Sequence, residues 1–278
     1  MDELRSLMPE NRFPTDSVLT QFLKTDERLS RLLAESKGEI TLRGKEELVE
    51  DRKFQRKRSR ARIIQADEFL QKLVRVCPWI ELAGISGSTA YGGTKPEDDI
   101  DFFFVAKRRR VWISLLLALV VGRIERLRSS NAPVYCFNRI VERSGCERTF
   151  RESREPLIAR DVLNLIVLRG SGLYGQLLLS APWIESLFPA LFATRLDHAR
   201  EARDELPANT SPAGTAANAA AFLVLGPYLW LAGVVRNVRL RNSGRARECF
   251  NTLIQPDRYA TESVLYNELR QEYREAFA

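Results

Sequence analysis

Ile80-Glu81-Leu82-Ala83-Gly84-Ile85-Ser86-Gly87-Ser88, followed after ten intervening residues by Asp99-Ile100-Asp101-Phe102-Phe103-Phe104-Val105, is the stretch that decides how this chain folds. The run from Ile80 to Ile85 reads as a strand that ends in a Gly-Ser turn. Thr89-Ala90-Tyr91 predicts a short helix closed by Gly92-Gly93. Thr94-Lys95-Pro96-Glu97-Asp98 is a turn-rich loop, with Asp98 a turn residue. Asp99 then opens a second strand. Side chains at i and i+2 of a strand share a face, so Asp99 and Asp101 project side by side while Ile100 faces the core. Neighbouring carboxylates repel unless a positive charge sits between them, and a divalent cation that prefers oxygen ligands, Mg2+ or Mn2+, supplies one.

Working outward, Cys77-Pro78 ends a long helix predicted over residues 45–76. Its middle is basic (Lys53, Arg56, Lys57, Arg58, Arg60, Arg62) and its end carries the apolar stripe Ile63, Ile64, Phe69, Leu70 and Leu73. Two readings stand for the basic run: a solvated helix face, or a phosphate-contacting surface for nucleic acid or a nucleotide tail. Past the second strand come four basic residues, Lys107 to Arg110. A buried helix over Val111 to Gly122 follows, closed by Arg123, Arg126 and Arg128, cations suited to a helix C-terminus. Val134 to Val141 is a third strand. Strands alternating with helices in this order predict an α+β protein, a mixed sheet with helices against it.

The Gly87-Ser88 turn and the Asp99-x-Asp101 strand resemble the signature of the polymerase-beta-like nucleotidyltransferase superfamily, over residues 79 to 106. A softer similarity extends to Leu42-Arg43-Gly44-Lys45-Glu46-Glu47-Leu48-Val49, to Arg160-Asp161 through Leu173-Tyr174-Gly175, and to Ala181-Pro182-Trp183. It resembles stand-alone prokaryotic nucleotidyltransferase-domain proteins. The resemblance implies that Gly87 and Ser88 hold the phosphates of a nucleoside triphosphate such as ATP, and that Asp99 and Asp101 hold the catalytic Mg2+ (or Mn2+). It also implies transfer of a nucleoside monophosphate to a hydroxyl acceptor (RNA, protein or small molecule) with release of pyrophosphate. Lys95, or a member of Lys107 to Arg110, is a candidate to offset phosphate charge. One departure stands out. Such enzymes add a third carboxylate from a later strand, and Val134 to Val141 has none. Asn138 takes the facing position, Glu142 lies just past the strand, and Asp161 is a more distant candidate. A nucleotide-binding regulator with weakened catalysis is therefore the alternative, and a DNA-binding or membrane-associated adaptor a third reading.

The remaining sequence sets the surroundings. Residues 1–13 read as a loose arm. Pro14-Thr15-Asp16-Ser17 starts a helix with Asp16 or Ser17 as cap. A second short helix through Leu29, Leu32 and Leu33 ends at Gly38, before a strand over Glu39 to Leu42. Residues 1–50 thus read as a winged-helix-like module, 51–145 as the nucleotidyltransferase-like core and 146–278 as a helical region. Within the last, Arg160 to Leu168, Tyr174 to Leu179 and Thr261 to Phe277 are predicted helices, and Leu206 to Gly214 a linker. Ala219 to Val235 carries no charge but is interrupted by Gly226-Pro227 and is short for a bilayer. It reads as a buried core or dimer helix, making a homodimer a candidate assembly and a membrane role the lesser reading.

With 278 residues, 45% hydrophobic and 28% charged, the chain is globular rather than disordered. Its net charge of +7 favours phosphate-rich partners without choosing among them. Cys77, Cys136, Cys146 and Cys249 show no zinc-like spacing and fit reduced thiols of a cytoplasmic protein, with Cys77 and Cys136 as small core residues. His198, the only histidine, cannot by itself build a histidine metal site.

Overall fold

The computed structural model describes residue 8 and residues 15–36, 39–129, 131–201 and 211–277. The arm expected over 1–13 (but for residue 8), Gly38 and the first half of the expected 206–214 linker lie outside the described residues.

The described chain begins with α1 (Asp16–Thr25) and α2 (Glu27–Leu32). Thr15, not Asp16 or Ser17, caps α1 by accepting from the Val18 N–H, and Asp26 caps α2 by accepting from Leu29 at 2.8 Å. Leu33, expected in the second helix, instead opens the hairpin β1 (Leu33–Ser36) and β2 (Glu39–Leu42). Two helices and a hairpin are the elements expected of the N-terminal module. Leu19 is the one buried residue in α1 and α2, so the module has little core of its own.

Next, α3 (Leu48–Val76) runs the length of the basic segment and buries Phe69, Leu70 and Leu73 at its end. It leads into β3 (Ile80–Ser86), the single turn α4 (Gly87–Ala90) and β4 (Ile100–Ala106). Then come α5 (Val111–Arg128), β5 (Tyr135–Glu142), α6 (Arg143–Glu152) and α7 (Pro156–Asn164). The short strand β6 (Ile166–Arg169) precedes α8 (Ser171–Leu179), α9 (Pro182–Leu187) and α10 (Pro189–Glu201). The 31-residue α11 (Pro212–Asn242), the strands β7 (Phe250–Gln255) and β8 (Arg258–Ser263), and α12 (Val264–Phe277) complete the chain.

Apart from the β1–β2 hairpin, the described strands form one mixed six-stranded sheet in the order β6-β3-β4-β5-β8-β7, flanked by helices. Only β4 and β5 run parallel; the other neighbouring pairs are antiparallel. The segment after 145 was expected to be helical. It supplies β6, which pairs with β3, and the β7–β8 hairpin, which pairs with β5. A boundary at 145 would therefore cut through a single sheet. Ile166-Val167-Leu168, expected as the end of a helix, is extended because its backbone completes the open edge of β3. A run this short cannot be told from helix by pattern alone. Likewise, Thr261 to Ser263 belong to β8 rather than to the last helix.

Each face of the sheet has its own core. Ile85, Ile100, Phe102 and Phe104 meet Phe69 and Leu73 of α3, Trp112 and Leu115 of α5, and Leu225 of α11. Leu82, Val105 and Val141 meet Phe150 of α6, Leu163 of α7, Leu177 of α8, Ile184 of α9 and Phe192 of α10. The ring centroids of Phe69 lie 5.4 Å from those of Phe102 and 4.1 Å from those of Tyr135. At about 1.5–3 kcal/mol per buried large apolar side chain, this packing fixes the facing of β4. A slip by one residue would turn both aspartates into the aromatic core and take Phe102 and Phe104 out of it.

α11 differs from the expectation of a buried or interrupted segment. Ser211 caps it and Pro212 starts it. The helix continues through Pro227, which removes the hydrogen bond to the Leu223 carbonyl without ending it. It buries one side only, through Asn218, Ala221, Leu225 and Gly226. By length and composition, α11 is the one helix among the described residues able to cross a membrane.

Candidate functional site

The register of β3 and β4 places Ser86 opposite Asp101, so Gly87 sits just past that aspartate. Gly87 has φ +65°, and a Cβ built there would lie 2.2 Å from Asp101 Oδ2. Both the left-handed backbone and the close carboxylate require glycine. Asp99 and Asp101 share a face, as their spacing predicted, and each brings a carboxylate oxygen within 4.8 Å of the other's and of Cys136 Sγ. The Asp-x-Asp pair and the Gly-Ser bend are thus brought together. Asp98 acts as the expected turn residue, accepting from the Lys95 N–H at 2.9 Å.

Cys136 was expected as a core residue. It faces the acidic pair instead, because Asp101 and Cys136 are register partners on β4 and β5. The register then shifts between Asp101 and Phe103, so that Phe103 pairs with Arg139. This bulge keeps Phe137 and Ile140 in the aromatic core while turning Asn138 toward Asp101. The Asn138 Nδ2 donates to Asp101 Oδ1. Its Oδ1 accepts from Cys136 Sγ at 2.8 Å and from Thr261 Oγ1 at 3.2 Å. Asn138 was expected as a third ligand through its carbonyl oxygen; here that oxygen is engaged and the amide serves as a donor that orients Asp101.

Burial, and then the neighbouring Asp99 charge, push the Asp101 carboxyl up to about 7; the Asn138 hydrogen bond pulls the other way. Burial, and then the Asp101 charge, hold the Cys136 thiol in its neutral form. The site is therefore an under-compensated pair of acids beside a neutral thiol. Its oxygens suit a hard divalent cation, and the protonated sulfur is a poor partner for one.

Other expected residues lie elsewhere. Glu142 is at the far end of β5, opposite Ala106, which lies about 16 Å along β4 from Asp101. Its carboxylate accepts from the Arg109 N–H at 3.0 Å, so it is not a third ligand. Lys107 to Arg110 follow the same far end of β4. Arg110 is buried and bonds to the Ser211 carbonyl at 2.8 Å, anchoring α11. Lys95 is exposed on the loop between α4 and β4.

Asp161 does not reach the metal-ligand group but braces the turn after α4. It accepts from the Tyr91 hydroxyl at 2.5 Å and from the Tyr266 hydroxyl at 2.7 Å. Burial, followed by the Asp161 charge, raises both phenols, so they stay donors. From the other side, Arg52 donates to the Tyr91 carbonyl at 2.7 Å and Arg58 to the Thr94 carbonyl at 2.9 Å. Part of the basic helix α3 thus holds the loop that carries Lys95. His198, on α10, has its Nδ1 2.6 Å from the Thr194 carbonyl and takes no part. All four cysteines are free. The bulge and Cys136 had no sequence signal beyond proximity to Asn138.

No protein-family model, no curated protein and no solved structure matches the chain.

Proposed function

We propose that the protein is a metal-dependent nucleotidyltransferase that moves a nucleoside monophosphate from an NTP to a hydroxyl acceptor. The observation that carries this reading is the Asp99–Asp101 pair facing the Gly87-Ser88 bend, with Asp101 Oδ2 against the glycine. Asp99 and Asp101 would hold Mg2+ or Mn2+, which when bound supplies neutralisation of phosphate charge. The backbone N–H groups at the Gly87-Ser88 bend and the Ser88 hydroxyl are suited to donate to phosphate oxygens, since the positive φ of Gly87 forms an anion-binding concavity. Lys95, exposed on the loop between α4 and β4, is the candidate to offset remaining charge. The acceptor hydroxyl forms a new bond to the α-phosphorus as the bond to the bridging oxygen breaks, and pyrophosphate leaves. The hydroxyl proton passes to one of the paired carboxylates or to water.

One observation favours a second reading, a nucleotide-binding regulator. Where a third carboxylate would stand, Asn138 is spent on orienting Asp101, and an amide is a poor base. The two readings part in one experiment. Purified protein is incubated with each radiolabelled NTP and Mg2+ or Mn2+ in cell extract, wild type beside Asp101→Ala. Labelled acceptor and pyrophosphate from the wild type alone support transfer. Cation-dependent nucleotide binding without pyrophosphate supports the regulator. Nucleotide binding that is absent, or unchanged in Asp101→Ala, refutes both.

A further inference from the structure

We infer that the exposed face of α3 is a binding surface for single-stranded nucleic acid. Residues 52–66 carry seven cations, at Arg52, Lys53, Arg56, Lys57, Arg58, Arg60 and Arg62, and no acid. A solvated surface helix interleaves the two signs. Here Lys53 and Lys57, Arg56 and Arg60, and Arg58 and Arg62 repel one another at i,i+4 spacing. Some of these cations serve the fold. Arg56 pairs with Glu39 at 2.6 Å and Lys53 with Glu50 at 3.2 Å. Arg52 and Arg58 donate to the Tyr91 and Thr94 carbonyls. Lys57 and Arg60 do none of this. Both are exposed, and neither has a hydrogen-bond or ion-pair partner among the described residues. Their charge calls for an anion from outside the chain.

The side chain beside these cations points to the kind of anion. Phe54 is 65% exposed, with Lys57 and Arg58 one turn along the helix. An exposed aromatic ring among cations is the combination that holds single strands: the ring stacks on a base while the cations meet phosphates. Paired bases inside a duplex leave no face free for such a ring. A lone phosphate or nucleotide takes a concave site, whereas this is the outward side of a helix that presents charge over several turns, a path only a polymer can follow. A bilayer fits less well. The exposed apolar residues Phe54 and Ile64 lie roughly 15 Å apart at 1.5 Å per residue, with Lys57 and Arg60 between them. A helix lying on a bilayer carries a continuous apolar face instead. The surface is also held in place: α3 buries Phe69, Leu70 and Leu73, and its Ser59 Oγ lies 2.7 Å from Thr94 Oγ1. Lys95, exposed next to Thr94, carries the cationic surface onto that loop, where Glu97, Asp98 and Asp99 end it.

The test is fluorescence polarisation with labelled oligothymidylate and oligouridylate of about 20 nucleotides. Buffers contain EDTA and no free nucleotide, so the outcome does not depend on chemistry at Asp99 and Asp101. Wild type is expected to bind with a dissociation constant of about 1–100 µM in physiological salt, and less tightly as salt rises. Lys57→Gln combined with Arg60→Gln should flatten the salt dependence by roughly 0.7 logarithmic units for each cation removed. Phe54→Ala should weaken binding about 5-fold or more with the salt slope unchanged, and Phe54→Trp should bind like wild type. Arg239→Gln combined with Arg241→Gln removes the same charge from α11 and should stay within about twofold of wild type. All of these positions are exposed, and far-ultraviolet circular dichroism should show each variant folded. Absence of binding by wild type at about 100 µM overturns the proposal. So does an equal loss in the two double variants, which would leave net charge as the cause. A duplex bound as tightly as the single strands, with Phe54→Ala unchanged, overturns the single-strand assignment. Flotation of wild type with phosphatidylcholine–phosphatidylglycerol vesicles, lost in Lys57→Gln with Arg60→Gln and without strand binding, assigns the face to a membrane instead.

Discussion

Replacing Asp101 with asparagine removes a charge while keeping the shape of the side chain, and the structure gives the size of the effect. In the folded chain burial and Asp99 raise this carboxyl from 3.8 to about 7. Between those two values the folded state keeps a proton that the unfolded state has released, so stability falls as pH rises through that window and levels off above it. From pH 5 to pH 8.5 the wild type should lose about 3 kcal/mol from this group alone. At the higher pH, Asp101→Asn carries no buried charge. Its amide oxygen can still accept from Asn138 Nδ2, and its amide nitrogen can face Asp99. Thermal melts by circular dichroism in EDTA should show the variant melting roughly 6 °C above wild type at pH 8.5, with the difference shrinking toward pH 5. Adding Mn2+ at pH 8.5 should raise the wild-type midpoint and leave the variant's in place, because the cation replaces the proton as the compensating charge. An equal or lower melting point for the variant at pH 8.5, or a gap that does not change with pH, would refute the argument that Asp101 is a strained, under-compensated acid.

Gly87→Ala forces a side chain into the left-handed region and against Asp101 Oδ2; a loss of about 1–3 kcal/mol in urea unfolding is expected, along with loss of the Mn2+ response. Asn138→Asp places a third acid on the pair. Without cation it should destabilise the chain by about 2 kcal/mol, and isothermal titration should show tighter Mn2+ binding than wild type. Tyr266→Phe leaves Asp161 one donor short and should cost about 1 kcal/mol in urea unfolding; a value near zero would mean that this brace carries no load. Glu142→Gln acts at the opposite end of β5 from the acidic pair, so Mn2+ affinity by titration should match wild type.

Local pattern carried the local elements. Apolar runs marked β3 and β4, the Gly-Ser bend marked the turn, and the spacing of Asp99 and Asp101 fixed their common face, because side-chain direction in a strand has a strict period of two. The 45–76 helix, the apolar helix after it and the third strand were legible for the same reason: each buries a continuous apolar stripe. What failed was decided between segments distant in sequence. Whether Ile166-Val167-Leu168 coils or extends depends on the open edge of β3, and no neighbouring residue reports that edge. The β7–β8 hairpin joins the sheet only because β5 is there to receive it. Cys136 meets Asp101 as its register partner across β4 and β5, and Asn138 reaches it beside a one-residue bulge on β5. The sequence by itself therefore determined that two acids stand together beside a glycine. Only the tertiary structure decided that their nearest companions are a thiol and an amide rather than Glu142, and that α11 leaves one face bare. Strand periodicity is written in adjacent residues, whereas the company a side chain keeps is set by pairing and packing across the whole chain.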